Sequence, residues 1–241
     1  MTMYIIIIAA TLPAFVLMYY IWRRDKYQHE PVKELLKGFG WGVLAAVLAG
    51  PIEMALQMTG LSPANPQTWF GAIWEAFFGV ALVEEGVKLF FLWILLRKNP
   101  FFDEHIDGVV YAVAVGMGFA AMENIGYLFS YIEQWQQLAV SRAIFSVPGH
   151  FMFAVAMGYY YSVNHFALST RADRYKVLAM PVLLHGIFDS LLMMADVTPQ
   201  IGGLLWVVFV AFCLTLPGFA NNKIKALLKS DRMNQGGLFR W

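Results

Sequence analysis

Cysteine is nearly missing from this chain. Cys213 stands alone among 241 residues, which excludes an internal disulfide and any site built from clustered thiolates. It falls late in an apolar run and reads as a lipid-facing or packing residue. Charge is scarce too: Asp, Glu, Lys and Arg make up 14% of the residues, where a soluble domain carries about 25%. The net charge is only +1, and no basic patch is interleaved with aromatics, so a nucleic-acid partner is excluded. There is no internal repeat, low-complexity tract or glycine-rich phosphate loop. The H-E-x-x-H signature of many zinc proteases is absent. Ser141, Ser146 and Ser190 have no Lys or His at triad spacing, which argues against a serine mechanism.

What the chain has is apolar length. Hydrophobic residues make up 59% of it, and the mean hydropathy is +0.58. This leaves no room for a sizeable soluble domain and predicts a single integral membrane domain over residues 1–241. Apolar runs at about Tyr4–Trp22, Leu35–Leu56, Trp69–Leu96, Ile106–Tyr131, Ala143–Phe166, Val177–Ala195 and Ile201–Phe219 predict seven spans, each near the ~20 residues a helix needs to cross a bilayer. The first run has no basic segment before it and Arg23, Arg24 and Lys26 after it. A cleavable signal peptide has the reverse polarity, so this reads as a retained span. Segments 23–37, 97–105, 168–176 and the tail from 220 carry 5, 2, 3 and 5 Lys and Arg, 15 of the 17 present. The positive-inside rule then puts the N-terminus outside and the C-terminus inside. The expected fold is an all-α polytopic membrane helix bundle, N-out and C-in. Residues 220–241 are expected to form a basic cytoplasmic tail lying on the membrane surface. Gly38 and Gly42, with Gly116, Gly118, Ala120 and Ala121, have the small-residue spacing of close helix contacts.

The third run holds Glu84-Glu85-Gly86-Val87-Lys88 near its middle. Ionisable groups at that depth cost at least ~2.5 to 3.5 kcal/mol each and face partners or water. Glu84 and Lys88 are four apart in the favourable order for an ion pair. Glu85 is turned ~100° away, so one lysine is expected to leave a carboxylate uncompensated. The full intramembrane set is Glu53, Glu75, Glu84, Glu85, Lys88, Glu123, His150, His185 and Asp189. Glu53 and Glu75 fall near the outer ends of their spans and read as interfacial or structural. The others occupy four successive spans at depths between the midplane and the outer leaflet, so they are expected to converge. Each alone has a plain alternative: His185 and Asp189 as an i, i+4 hydrogen-bonded pair, His150 as a cap after Pro148-Gly149, Glu123-Asn124 as an interhelical clasp. Four adjacent helices with such groups at like depth argue for a site.

Two histidines and several carboxylates, without thiol or paired serine, suit water activation. One route is a divalent metal such as zinc on His150, His185 and Glu123 or Glu85, with a second carboxylate as base. The other is metal-free, with a buried glutamate as base and a histidine orienting the water. Either way Glu84 or Glu85 is the candidate base and Asp189 orients His185. Glu123 is a ligand or second acid, and Lys88 and Asn124 have supporting roles. Two other classes compete: a proton- or ion-coupled transporter using the same buried groups, and an inert membrane scaffold. Many transporters carry internal repeats, and none is visible here.

Four motifs in order, E-E-G-V-K at 84–88, F-A-A-M-E-N at 119–124, P-G-H at 148–150 and H-G-I-F-D at 185–189, together with D-K-Y-x-x-E-P at 25–31, resemble those of the PrsW family. The resemblance covers essentially the whole chain. It implies a protease of the bacterial cell membrane that makes the first cut in a membrane-anchored anti-sigma factor during stress signalling. The family is similar in turn to the prenyl-protein and bacteriocin-immunity proteases, which pair a double-Glu motif with F-x-x-x-H and H-x-x-x-N. This chain departs from that wider pattern in having Glu123 for the first histidine, Asp189 for the asparagine, and an additional His150. The departures point away from prenylated substrates.

Overall fold

The computed structural model describes residues 2–166, 168 and 170–238. Their helices are α1 (Thr2–Arg24), α2 (Val32–Met58), α3 (Trp69–Trp74), α4 (Leu82–Leu96), α5 (Asp107–Ser130), α6 (Trp135–Ser141), α7 (Val147–His165), α8 (Arg171–Val197) and α9 (Pro199–Leu238). A π-helical segment, Glu75–Ala81, joins α3 to α4 without a break, and another, Arg142–Ser146, joins α6 to α7. The result is seven continuous rods and, among the described residues, no strand. The fold is the polytopic all-α bundle that the apolar runs predict. Six rods are long and apolar enough to cross a membrane. The seventh, 69–96, is set apart by the charge of Glu75, Glu84, Glu85 and Lys88.

The four basic segments gather at one end of the bundle. Arg24 Nη2 donates to Asn221 Oδ1 at 3.1 Å, and Gln28 Nε2 donates to Asp103 Oδ2 at 3.5 Å. The Phe102 ring lies 4.3 Å from that of His165. At the other end Trp69 Nε1 donates to Thr198 Oγ1 at 3.0 Å. By the positive-inside rule the first end is the one expected to face the cytoplasm.

Helix α5 is the axis of the bundle. Its apolar window is 83% buried, against 17–39% in the other five spans. Small residues permit this, because without a hydrophobic drive between helices, close packing must hold them together. A Cβ on Gly42 of α2 would stand 1.9 Å from the Val115 carbonyl oxygen, and one on Gly118 2.0 Å from that of Phe39. The α2–α5 crossing therefore admits only glycine at both points. Large apolar residues such as Ile8, Leu12, Leu44, Leu204 and Leu214 point outward, as suits a lipid-facing girdle.

The segment from 220, expected as a separate surface helix, continues α9 through Leu238. Its Ala220, Ile224 and Leu227 enter the main core. The spacing puts these residues and Asp231 on one face. Asp231 accepts from the backbone N–H of His105 at 2.7 Å and of Ile106 at 3.1 Å, capping the start of α5 from another helix. Residues 239–241 of the expected tail lie outside the described residues.

Candidate active site

The π segment Glu75–Ala81 sets the register of everything after it on the third rod. Such segments widen one turn of a helix and are frequent at functional sites. Glu75 anchors this one: it is buried and accepts from Gln57 Nε2 at 3.0 Å and from the Ser62 hydroxyl. Glu84, Glu85 and Lys88 follow in the first two turns of α4 and are all buried. Glu123 and Asn124 come from the later part of α5. His150 stands in the first turn of α7, just after the second π segment, and His185 and Asp189 lie one turn apart on α8.

These elements bring the sequence-derived set together. Lys88 Nζ donates to Glu84 Oε2 at 2.9 Å and to Glu85 Oε1 at 2.8 Å, and lies 3.4 Å from His150 Nδ1. It also sits 3.8 Å from the centre of the Phe119 ring. His150 Nε2 is 2.8 Å from Glu123 Oε2. His185 Nδ1 is 3.0 Å from Glu85 Oε1, and its Nε2 is 3.1 Å from Asp189 Oδ2. The two imidazole rings cross edge to face at 5.3 Å. With a carboxylate on each ring nitrogen, His185 either carries both protons or gives one lone pair to a cation.

In three respects the geometry corrects the sequence reading. One lysine does reach both carboxylates, because residues three and four apart both flank it on a helix. Glu123 borders the same cavity as Glu84, His150 and His185 but does not stand among the clustered ligand atoms of Glu84, Glu85, His150 and His185. Its Oε2 is shared by His150 Nε2 and by Arg142 Nη2 at 2.8 Å. It thus orients His150 from behind and stands outside the proposed His150, His185, Glu123 ligand trio. Asn124 takes no place in the cluster: its Nδ2 donates to the Ala10 carbonyl at 3.0 Å, and its Oδ1 accepts from Arg142 Nε.

Two contributors were missed. Arg142 and Lys88 are the two of the 17 Lys and Arg outside the four basic segments, and that position could have marked Arg142 as a partner for Glu123. Glu53, read as interfacial, borders the same cavity as Glu84, and its Oε1 is buried without a hydrogen bond. Its sequence signal was the lone carboxylate beside Pro51 in an otherwise apolar run. The cavity has a volume of about 770 Å³. It reaches from Glu84, His150, His185 and Asp189, past Met122 and Arg142, to Tyr131 and Leu138 at the end of the bundle opposite the basic loops. Glu85 is not part of its wall.

Glu84, Glu85, His150 and His185 each offer one ligand atom, all buried and within 4.8 Å of one another. The 3.0 Å between Glu85 Oε1 and His185 Nδ1 is near the ~3.3 Å edge of a tetrahedron with ~2.0 to 2.1 Å bonds. Each histidine is backed on its far nitrogen by a carboxylate, Glu123 or Asp189, the pairing that fixes metal-ligating imidazoles. Four carboxylates here, Glu84, Glu85, Glu123 and Asp189, face two permanent cations, Lys88 and Arg142. A mixed nitrogen and oxygen donor set with surplus negative charge fits a divalent metal of the zinc type.

The family model described as "PrsW family intramembrane metalloprotease" matches residues 30–216. A protein named Protease PrsW from Clostridioides difficile strain 630 is 35% identical over 188 residues, 76% of this chain and 77% of its own length. One of the same name from Geobacillus kaustophilus is 36% identical over 194 residues, 79% of this chain and 81% of its own. Another, from Halalkalibacterium halodurans, is 30% identical over 240 residues, 95% of this chain and its own entire length. No solved structure matches. Buried ionisable groups meeting in a cavity among membrane-spanning helices, and these relatives, agree: this is a multi-pass membrane hydrolase of peptide bonds, and the chain belongs to the PrsW family of intramembrane metalloproteases.

Proposed function

We propose that this protease cuts a single-pass membrane protein of the anti-sigma factor type near the extracytoplasmic end of its span. The observation that carries this reading is the cavity: it joins Glu84, His150 and His185 to the end of the bundle opposite the basic loops. Glu84 borders the cavity, whereas Glu85 is turned to Lys88 and His185. Glu84 is therefore the base that takes a proton from the attacking water. A metal such as zinc, held by Glu85, His150 and His185, would polarise the scissile carbonyl and make that water more acidic. Glu123 and Asp189 hold the two imidazoles by their Nε2 atoms, leaving Nδ1 of His185 turned toward Glu85 and Nδ1 of His150 toward Lys88.

The peptide must be extended where it is cut, since a helical carbonyl is engaged in its own hydrogen bond. A substrate frayed by Gly or Pro just outside its span, or already trimmed there, is cut faster. The test is purified protein in liposomes with such a substrate, and mass spectrometry of the products. The expected cut lies in the outer part of the substrate helix or just beyond it, and is lost with Glu84→Gln. A cut on the cytoplasmic side would overturn the reading.

A further inference from the structure

The cation standing among the donor atoms belongs to the protein itself. Lys88 Nζ is 2.9 Å from Glu84 Oε2, 2.8 Å from Glu85 Oε1 and 3.4 Å from His150 Nδ1. These belong to three of the four residues whose ligand atoms form the metal-type cluster. A zinc ion bonded to those atoms at ~2.0 to 2.2 Å would stand within about 4 Å of the ammonium nitrogen. No water would fit between them, and unscreened like charges at that distance repel strongly. The lysine and a metal therefore compete for one set of donors.

We propose that Lys88 is a tethered counter-ion for this site: it neutralises Glu84 and Glu85 as the bundle assembles, and must withdraw its ammonium for a divalent metal to bind. Two further observations support this. A pair of adjacent buried carboxylates without a cation could not be inserted at acceptable cost, and Lys88 is the one lysine or arginine that contacts both among the described residues. The Phe119 ring at 3.8 Å also gives the ammonium an attractive surface beside the donors, independent of the carboxylates. The same lysine thus secures folding before the metal arrives and lowers the affinity of the finished site for it. This inference rests on the metal-type reading of the site and not on the identity of the substrate.

The test is zinc binding to purified, metal-stripped protein, measured by chelator competition with elemental analysis, alongside thermal unfolding with and without zinc. Lys88→Met is expected to bind zinc at least tenfold tighter than the wild type. Without metal it should unfold at a lower temperature, and zinc should restore more of that loss than it adds to the wild type. Lys88→Arg covers the case in which the methionine variant does not fold. Its planar fork holds two carboxylates with more donors than an ammonium, so it should fold and bind zinc more weakly than the wild type. Equal or weaker binding by Lys88→Met, or wild-type affinity in Lys88→Arg, would overturn the proposal. If neither wild type nor variants bind zinc while the wild type still cleaves, the metal reading and this inference fall together and the protease assignment stands.

Discussion

The four carboxylates of the site are the same functional group, yet their surroundings assign them different work. Glu84 alone of the α4 pair borders the cavity, so Glu84→Gln should lower cleavage by ~10²- to 10⁴-fold, the usual contribution of a general base. The amide keeps the shape, so the variant should insert and unfold like the wild type. Glu123 touches no candidate ligand except through the far nitrogen of His150. Glu123→Gln should cost ~10- to 100-fold in metal affinity or activity, the range typical of partners behind a ligand. Arg142, left facing an amide, should then tolerate replacement better than in the wild type, which a double-mutant cycle reads directly. Away from the membrane, Glu30 offers a residue-scale test by pH. It lies in the 25–31 turn, buried, and accepts from the Tyr111 hydroxyl. Burial outweighs that hydrogen bond and pushes its carboxyl up to about 7 from an ordinary 4.5. The folded chain holds this proton more tightly than the unfolded one, so the contribution to stability is complete below about 4.5 and is lost as pH rises through about 7. Thermal unfolding from pH 5.5 to 8.5 should show that loss in the wild type and a flatter profile in Glu30→Gln.

Among the elements, the α2–α5 crossing carries the most exact demand for small residues. At Gly118 a methyl group would meet the Phe39 backbone oxygen, which cannot turn aside as a side chain can. Gly118→Ala should lower stability by about 1 to 3 kcal/mol, the usual cost of forcing atoms into a packed core, and should reduce activity by moving α5 and with it Glu123. Gly126→Ala, on the same helix with open space at that position, should leave stability unchanged. The glycines at 42 and 118 were legible in the sequence because small-residue spacing is a direct imprint of helix contact. The π segments were not legible. The first of them carries the contacts of Phe77 with Gly186 and of Glu75 with Ser62, residues far apart or in a turn, which no helical periodicity encodes. For the same reason the reach of Lys88 to both carboxylates escaped a reading based on angular spacing alone.

Over the whole molecule, hydropathy was enough to place seven rods. The depth of each buried charge then followed from counting 1.5 Å per residue. That was sufficient to say that α4, α5, α7 and α8 would meet through Glu84, Glu85, Glu123, His150, His185 and Asp189. It was not sufficient to say which nitrogen of His150 faced Glu123, or that Glu53 entered the cavity, because rotation of each rod about its own axis is set by neighbours. A test at this scale removes the metal from the intact enzyme. Chelation should abolish cleavage and zinc should restore it, with one ion bound per chain by elemental analysis; cleavage that survives complete stripping would leave the metal-free route.

The placement of α9 has a consequence for how the enzyme comes into being. Trp206 and Phe209 of this helix line the cavity, and its Asp231 caps α5 through His105 and Ile106. A ribosome delivers α4, α5, α7 and α8, with every candidate catalytic group, well before it reaches residue 231. Until then the cavity lacks one wall and the central helix lacks its cap. The nascent protease is thus held incomplete while it is threaded into a membrane crowded with other emerging helices, and its cavity and central helix are completed only once α9 has been made.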